Sequence, residues 1–205
     1  MNAAIKLICV AAAITGCATQ PMSNDVYSAA QTSTVLIRTS TGLGTGVVIN
    51  DKCVLTVAHV ADEDTVEFLD WKQRVTTVTR TTHDEEKDIA VVCGNASLDL
   101  PPVSLRSTMP QRYAEVFTIG NPLKNVNVLT TGRYQLNGII TAQTAPGNSG
   151  GGVFDSAGSL IGLVDAIAAY DTPMGMAVFP HLVSIISLPD ITSVLDVNHI
   201  SYTTA

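Results

Sequence analysis

Three short stretches of this chain carry side chains that together suit acyl-transfer chemistry. Pro146-Gly147-Asn148-Ser149-Gly150-Gly151 sets a serine inside a glycine-rich turn, just ahead of the apolar pair Val153-Phe154. A serine hydroxyl becomes a useful nucleophile when a tight backbone exposes it beside N–H groups that can receive a developing oxyanion. Gly147 and Gly150 supply backbone conformations that residues with a Cβ reach poorly. Taken alone, the turn reads equally well as an ordinary hairpin loop. Upstream, Val54-Leu55-Thr56-Val57-Ala58-His59-Val60 ends an apolar run on a histidine, the usual general base. Lys87-Asp88-Ile89-Ala90-Val91-Val92 opens another apolar run with an aspartate, which can orient an imidazole. Singly, such a histidine is most often a satisfied structural residue and such an aspartate a solvated turn. Jointly they supply nucleophile, base and orienting acid. Asp84 is the competing acid, but it lies in the charged stretch His83–Lys87, whereas Asp88 directly precedes the apolar run.

These stretches need a scaffold, and the sequence points to strands. Val, Ile and Thr are plentiful, while aromatic residues make up only 5% of the 205 residues. Strand-like runs follow in quick succession at Thr34–Thr39, Thr45–Asn50, Cys53–Val57, Thr65–Asp70, Arg74–Arg80 and Asp88–Cys93. Short strands without long helices between them predict an antiparallel barrel or sandwich. Asn95–Gln111, with Pro101, Pro102 and Pro110, reads as a connector. A second set follows at Tyr113–Ile119, Val126–Gln135, Ile139–Gln143, Gly151–Asp155, Ser159–Ala166 and Gly175–Phe179, with an Asn-Gly hairpin signal at Asn137-Gly138. From His181 to about Leu195 the apolar residues Leu182, Val183, Ile185, Ile186 and Leu188 read as the start of a short helix.

The order His, Asp, Ser is that of chymotrypsin-type peptidases. All three motifs resemble the trypsin-like peptidase family, most closely the protease domain of the Deg/HtrA group. The resemblance runs from roughly Tyr27 to Phe179 and includes Thr45-Gly46-Val47-Val48-Ile49, Ile119-Gly120-Asn121-Pro122 and Leu160-Ile161-Gly162-Leu163-Val164. It implies an all-β fold of two six-stranded antiparallel barrels with a short C-terminal helix. The peptidase domain would cover 32–195, with barrel one at about 32–94, barrel two at about 112–180 and a tail at 196–205. His59 and Asp88 would then come from the first barrel and Ser149 from the second, meeting in the cleft between them. Ser149 would be the nucleophile, His59 the base, and Asp88 the residue holding the imidazole, with the N–H groups of Gly147 and Ser149 as oxyanion hole. The implied activity is a serine endopeptidase acting on polypeptides without a cofactor. A catalytically silent peptide-binding homologue and a small-ester hydrolase are the alternatives, although the elbow and alternating helices of an α/β-hydrolase are missing.

The same resemblance carries finer expectations. Asn148 stands where animal trypsin-type enzymes have an aspartate that pairs with a freed N-terminus, so that activation switch is expected to be absent. No PDZ domain is expected after the second barrel. Gln143, six positions before the nucleophile, is expected at the floor of the primary pocket, with Asp165-Ala166-Ile167 and Gly175-Met176-Ala177 as walls. A neutral floor predicts cleavage after small or medium apolar residues, because a buried unpaired cation is costly. In the family fold the strand before the histidine lies beside the strand after the aspartate, which brings Cys53 and Cys93 towards disulfide reach. The alternative is a pair of buried free thiols.

The remaining features bear on location and partners. Residues 1–16 hold Lys6 as their only charge and a short apolar run from Leu7 to Ile14, too short to span a bilayer, and read as a secretory signal. Ile14-Thr15-Gly16-Cys17 resembles a bacterial lipobox, with Cys17 lipidated and Ala18 favouring the outer membrane, facing the periplasm. The plain alternative is a signal cleaved near Ala18. Residues 17–31 are polar and small and read as a tether. The net charge is −7 without any basic face, which excludes a nucleic-acid-binding role. His83, His181 and His199 lack metal-site spacing, and no metal is expected. Oligomeric state is not legible.

Overall fold

The computed structural model describes residues 23–205, leaving aside the side chains of residues 80, 81, 170 and 180. The expected signal at 1–16 and lipidated Cys17 lie outside the described residues. Six strands form the first barrel: β1 (Thr34–Arg38), β2 (Leu43–Val48), β3 (Cys53–Val57), β4 (Thr65–Leu69), β5 (Val75–Asp84) and β6 (Ile89–Cys93). They close in the order β1-β2-β3-β6-β5-β4. Most of β3 and β6 is apolar because both faces are covered. Val54, Ala90 and Val92 join Val35, Ile37 and Phe68 inside the barrel. Leu55, Val57, Ile89 and Val91 turn the other way and pack with Phe117, Ile119, Phe154 and Leu163 of the second half. Alternation along one strand therefore builds a barrel interior on one side and the seam between barrels on the other.

The second half contains β7 (Ser104–Leu105), β8 (Glu115–Gly120), a helical turn at Pro122–Lys124, β9 (Val128–Tyr134), β10 (Ile139–Thr141), β11 (Gly152–Asp155), β12 (Leu160–Thr172) and β13 (Gly175–Ser187). The sheet runs β11-β8-β9-β10-β13-β12, and β11 also pairs with β12, so these six strands return on themselves. Their interior holds Val116, Ile140, Val153, Ile161 and Val183. The chain closes with α2 (Leu188–Val197) and the short β14 (Thr203–Thr204), which pairs with β7. The fold is all-β with two short helices, a double barrel of the expected kind.

Two elements depart from the sequence reading. The stretch read as a tether contains α1 (Asn24–Thr32), N-capped by the Ser23 hydroxyl, which accepts from the Val26 N–H. Its apolar residues Val26, Tyr27 and Ala30 share one face and pack on the seam, with the Tyr27 ring edge-on to Phe117 at 4.9 Å. Three small or aromatic residues on a polar background hide that stripe in the composition. The second departure is at His181–Ser187, which continues β13 rather than starting the helix. Its β-branched residues pair with β12 and β10, and the helix waits for Leu188-Pro189, where proline fits the first turn.

Candidate active site

The β3–β6 ladder runs from Cys53 opposite Cys93 to Val57 opposite Ile89. Its far end is stapled by the Cys53–Cys93 disulfide, with Cα atoms 4.1 Å apart. The near end releases both strands at the same level, so His59 and Asp88 meet just beyond it. Asp88 takes a left-handed backbone, φ 54°, which aspartate tolerates better than most residues. Its carbonyl accepts from the Ala58 N–H at 3.0 Å. Its carboxylate grips His59 twice: Oδ1 accepts the backbone N–H at 2.9 Å and Oδ2 lies 2.6 Å from ring Nδ1. With the Nδ1 proton donated to the carboxylate, Nε2 is left as the free base.

Ser149 comes from the other barrel, in a loop held from two sides. The Asn148 N–H donates to the Ala145 carbonyl at 3.0 Å, closing a turn with Pro146 at its second position and Gly147 at its third. Gly147 has φ 102°, the hallmark of a type II turn. The Pro146 carbonyl accepts from the Leu123 N–H at 2.9 Å. In a trans peptide the N–H points opposite to the C=O, so the Gly147 N–H faces away from the Pro122–Lys124 turn. Thr45 on β2 provides the second hold. Its buried hydroxyl donates to the Gly147 carbonyl at 2.7 Å and accepts from the Asn121 backbone and side-chain N–H groups, while its own N–H donates to the Ser149 carbonyl at 2.9 Å. Gly150, φ 80°, lies so close to Thr45 and Thr56 that a Cβ would overlap both.

His59 and Ser149 line one cavity of about 350 Å³, together with Thr144, Ala145, Pro146 and the β12 segment Val164–Ile167. The Ser149 hydroxyl donates to the Asp165 carbonyl at 3.1 Å. The Asp165 carboxylate accepts from Ser184 at 2.8 Å and brings an oxygen within 4.8 Å of the His59 and Asp88 ligand atoms. It thus belongs to the polar side of the site, and the apolar walls are Ala166 and Ile167.

Two pocket expectations need correction. Gln143 is exposed and lines a neighbouring depression with Leu123, Val128 and His181. Met176 pairs with Asp171 near the tip of the long β12–β13 hairpin, six residues along β12 from Asp165 and so about 20 Å away. The strand facing Ala166 and Ile167 is Ser184-Val183 instead. Sequence reasoning also passed over Thr45 as a site residue, although a threonine flanked by glycines at the head of a buried strand was its signal. Asn148 is buried and donates through Nδ2 to the Thr144 hydroxyl at 3.1 Å, which ties the Ser149 turn to itself.

A histidine–aspartate pair on one barrel and a serine in a glycine turn on the other, sharing a cavity at the seam, are the parts of a serine-type peptidase. The sequence pattern of the trypsin-like peptidase domain matches residues 44–163, and the chain belongs to that family. A comparison with curated proteins finds no match. Among solved structures, the fold is similar to the Rv3671c protease of M. tuberculosis in an inactive form, at 24% identity and TM-score 0.71, covering 85% of this chain and 93% of that one. It is also similar to the HtrA-type protease AlgW with a tripeptide, at 26% identity and TM-score 0.70, over 84% of this chain and 62% of that one. A serine endoprotease from Yersinia pestis matches at 24% identity and TM-score 0.69, over 88% and 68%. The chain therefore spans less than two thirds of the AlgW chain.

Proposed function

We propose that the chain is an active endopeptidase whose catalytic residues are Ser149, His59 and Asp88. The Ser149 oxygen attacks the scissile carbonyl as His59 Nε2 takes its proton. The tetrahedral intermediate collapses when His59 returns that proton to the leaving amine, and water repeats the cycle on the acyl-enzyme. Asp88 stabilises the imidazolium, and the N–H groups of Gly147 and Ser149 receive the oxyanion. The observation that carries this reading is the 2.6 Å contact between His59 Nδ1 and Asp88 Oδ2 at the rim of the cavity that Ser149 also lines. For attack, the Ser149 hydroxyl must leave the Asp165 carbonyl, to which a bound peptide N–H can donate in its place. Ala166 and Ile167 support cleavage after small or medium apolar residues. Labelling with a fluorophosphonate probe and casein digestion with cleavage-site mapping test the proposal. Ser149→Ala should abolish both, and equal proteolysis by the variant would refute the assignment. A majority of cuts after Lys or Arg would refute the pocket reading.

We further infer an exported, lipid-anchored protein, supported by the lipobox-like Ile14-Thr15-Gly16-Cys17. Among the described residues no helix is long and apolar enough to cross a membrane. Changing Cys17 to serine should move the protein from the membrane pellet to the soluble fraction.

A further inference from the structure

The proposed mechanism leaves one charged group of the cavity without a task. Ser149 engages the Asp165 backbone carbonyl, and no step of acyl transfer calls on the Asp165 carboxylate. That carboxylate stands close to a second one and to an imidazole. His59, Asp88 and Asp165 each bring one ligand atom to within 4.8 Å of the other two. Among the described residues they are the one group of three His, Cys, Asp or Glu side chains that converges in this way. The chain shows no metal spacing there, because the three residues are far apart in sequence and Asp165 comes from the other barrel. Few donors answer the two carboxylates. Asp88 takes its two side-chain hydrogen bonds from His59, and Asp165 Oδ2 takes one from the Ser184 hydroxyl. Asp165 Oδ1 receives none from a described residue.

We propose that His59, Asp88 and Asp165 form a zinc site, and that zinc bound there switches the peptidase off. One imidazole with two carboxylates suits zinc and similar transition-metal ions, whereas magnesium and calcium favour oxygen ligands alone. The two carboxylates balance the charge of a divalent ion. The cavity of about 350 Å³ that His59 and Asp165 line gives entry, with room for a water in the fourth position. Zinc bonds of about 2.0–2.2 Å set ligand atoms about 3.3–3.6 Å apart. Closing the widest separation and opening the 2.6 Å contact between His59 and Asp88 each takes about an ångström of side-chain rotation. The Ser184 hydroxyl, 2.8 Å from Asp165 Oδ2, aims that carboxylate from outside the ligand set. Either ring nitrogen serves the switch. A metal on Nε2 occupies the lone pair that would take the serine proton. A metal on Nδ1 displaces the proton there and leaves the ring's single proton on Nε2, which again removes the base. The site stands on its own geometry, and only the consequence for activity rests on the peptidase reading.

Calorimetric titration of zinc into Ser149→Ala reads binding without turnover, and one saturable site is expected. Ser184→Ala keeps every ligand and should weaken zinc about tenfold by freeing the carboxylate. Asp165→Asn removes a ligand and should weaken it further, by about a hundredfold. In the native chain, saturating zinc should slow fluorophosphonate labelling of Ser149 by about a hundredfold, the lower end of what a general base contributes. A chelator should restore labelling, and magnesium should leave it unchanged. Zinc binding that survives Asp165→Asn at full affinity would overturn the site. So would binding abolished by His83→Gln, whose ring Nε2 lies 3.3 Å from Glu85 and offers the competing location. Native labelling at saturating zinc would overturn the switch. Zinc binding by a native chain that takes no label even with chelator would instead sink the peptidase reading and leave the site standing.

Discussion

On the proposed assignment, Gly147→Ala isolates the turn that aims the oxyanion donor. At φ 102° an L-residue is strained by about 1–2 kcal/mol, and the added Cβ would stand 2.5 Å from the Asn121 carbonyl oxygen, far inside ordinary contact. The cheapest relief is to turn over the Pro146–Gly147 peptide, converting the type II turn to type I. That breaks the 2.9 Å bond from Leu123 to the Pro146 carbonyl and puts this carbonyl where the Gly147 N–H had been. One oxyanion donor is lost, which costs about 10²–10³ in turnover. The β12 wall of the cavity is untouched, so the loss should fall on kcat with KM within about threefold of the native value. Steady-state kinetics on a peptide substrate, with circular dichroism to verify the fold, measure both. A folded variant with native kcat would refute the orientation argued for this peptide. A loss confined to KM would show that the turn binds substrate rather than the transition state.

Other expectations follow from the supports of the site. Cys53→Ser with Cys93→Ser should lower stability by about 4 kcal/mol, the chain-entropy value for a 40-residue separation, read from a denaturant midpoint in unreduced protein. Thr45→Val keeps the shape but strands two Asn121 donors and frees the Gly147 carbonyl, and should cost about 2 kcal/mol or more with a fall in kcat. Burial would raise the Asp70 carboxyl. It is outweighed by hydrogen bonds from the Arg74 and Lys72 N–H groups and the Arg74 guanidinium, which hold it below its ordinary value. A depressed carboxylate contributes stability that is complete above about pH 4 and lost as pH falls through its folded value. Thermal melts should therefore drop below about pH 4, and Asp70→Asn should flatten that drop.

Barrel one was legible in the sequence because its strands are short, rich in β-branched residues and punctuated by turns. Five of the six runs from Thr34 to Cys93 begin within one residue of β1, β3, β4, β5 and β6, and the Thr45 run falls inside or beside β2. The His59 and Asp88 pair was legible for the same reason, since each marks the end of an apolar run. The long β12–β13 hairpin was not. Ala166–Thr172 lacks an alternation of apolar and polar residues, and its pairing depends on a hairpin partner that periodicity cannot supply. Nor could the supports of the Ser149 turn be read, because Leu123 and Pro146 are far apart along the chain and Thr45 joins them only once the barrels dock.

That last point has a consequence for when the protein can act. The loop that presents Ser149 belongs to barrel two, yet Thr45 of barrel one holds the carbonyls of both Gly147 and Ser149. Each half can complete its own hydrogen-bond ladders without its neighbour, but neither can shape the nucleophile turn alone. On the proposed assignment, cutting power requires both barrels to be folded and docked. A population of half-folded chains is then harmless to itself. Crowded nascent copies would then meet no competent protease until docking is finished.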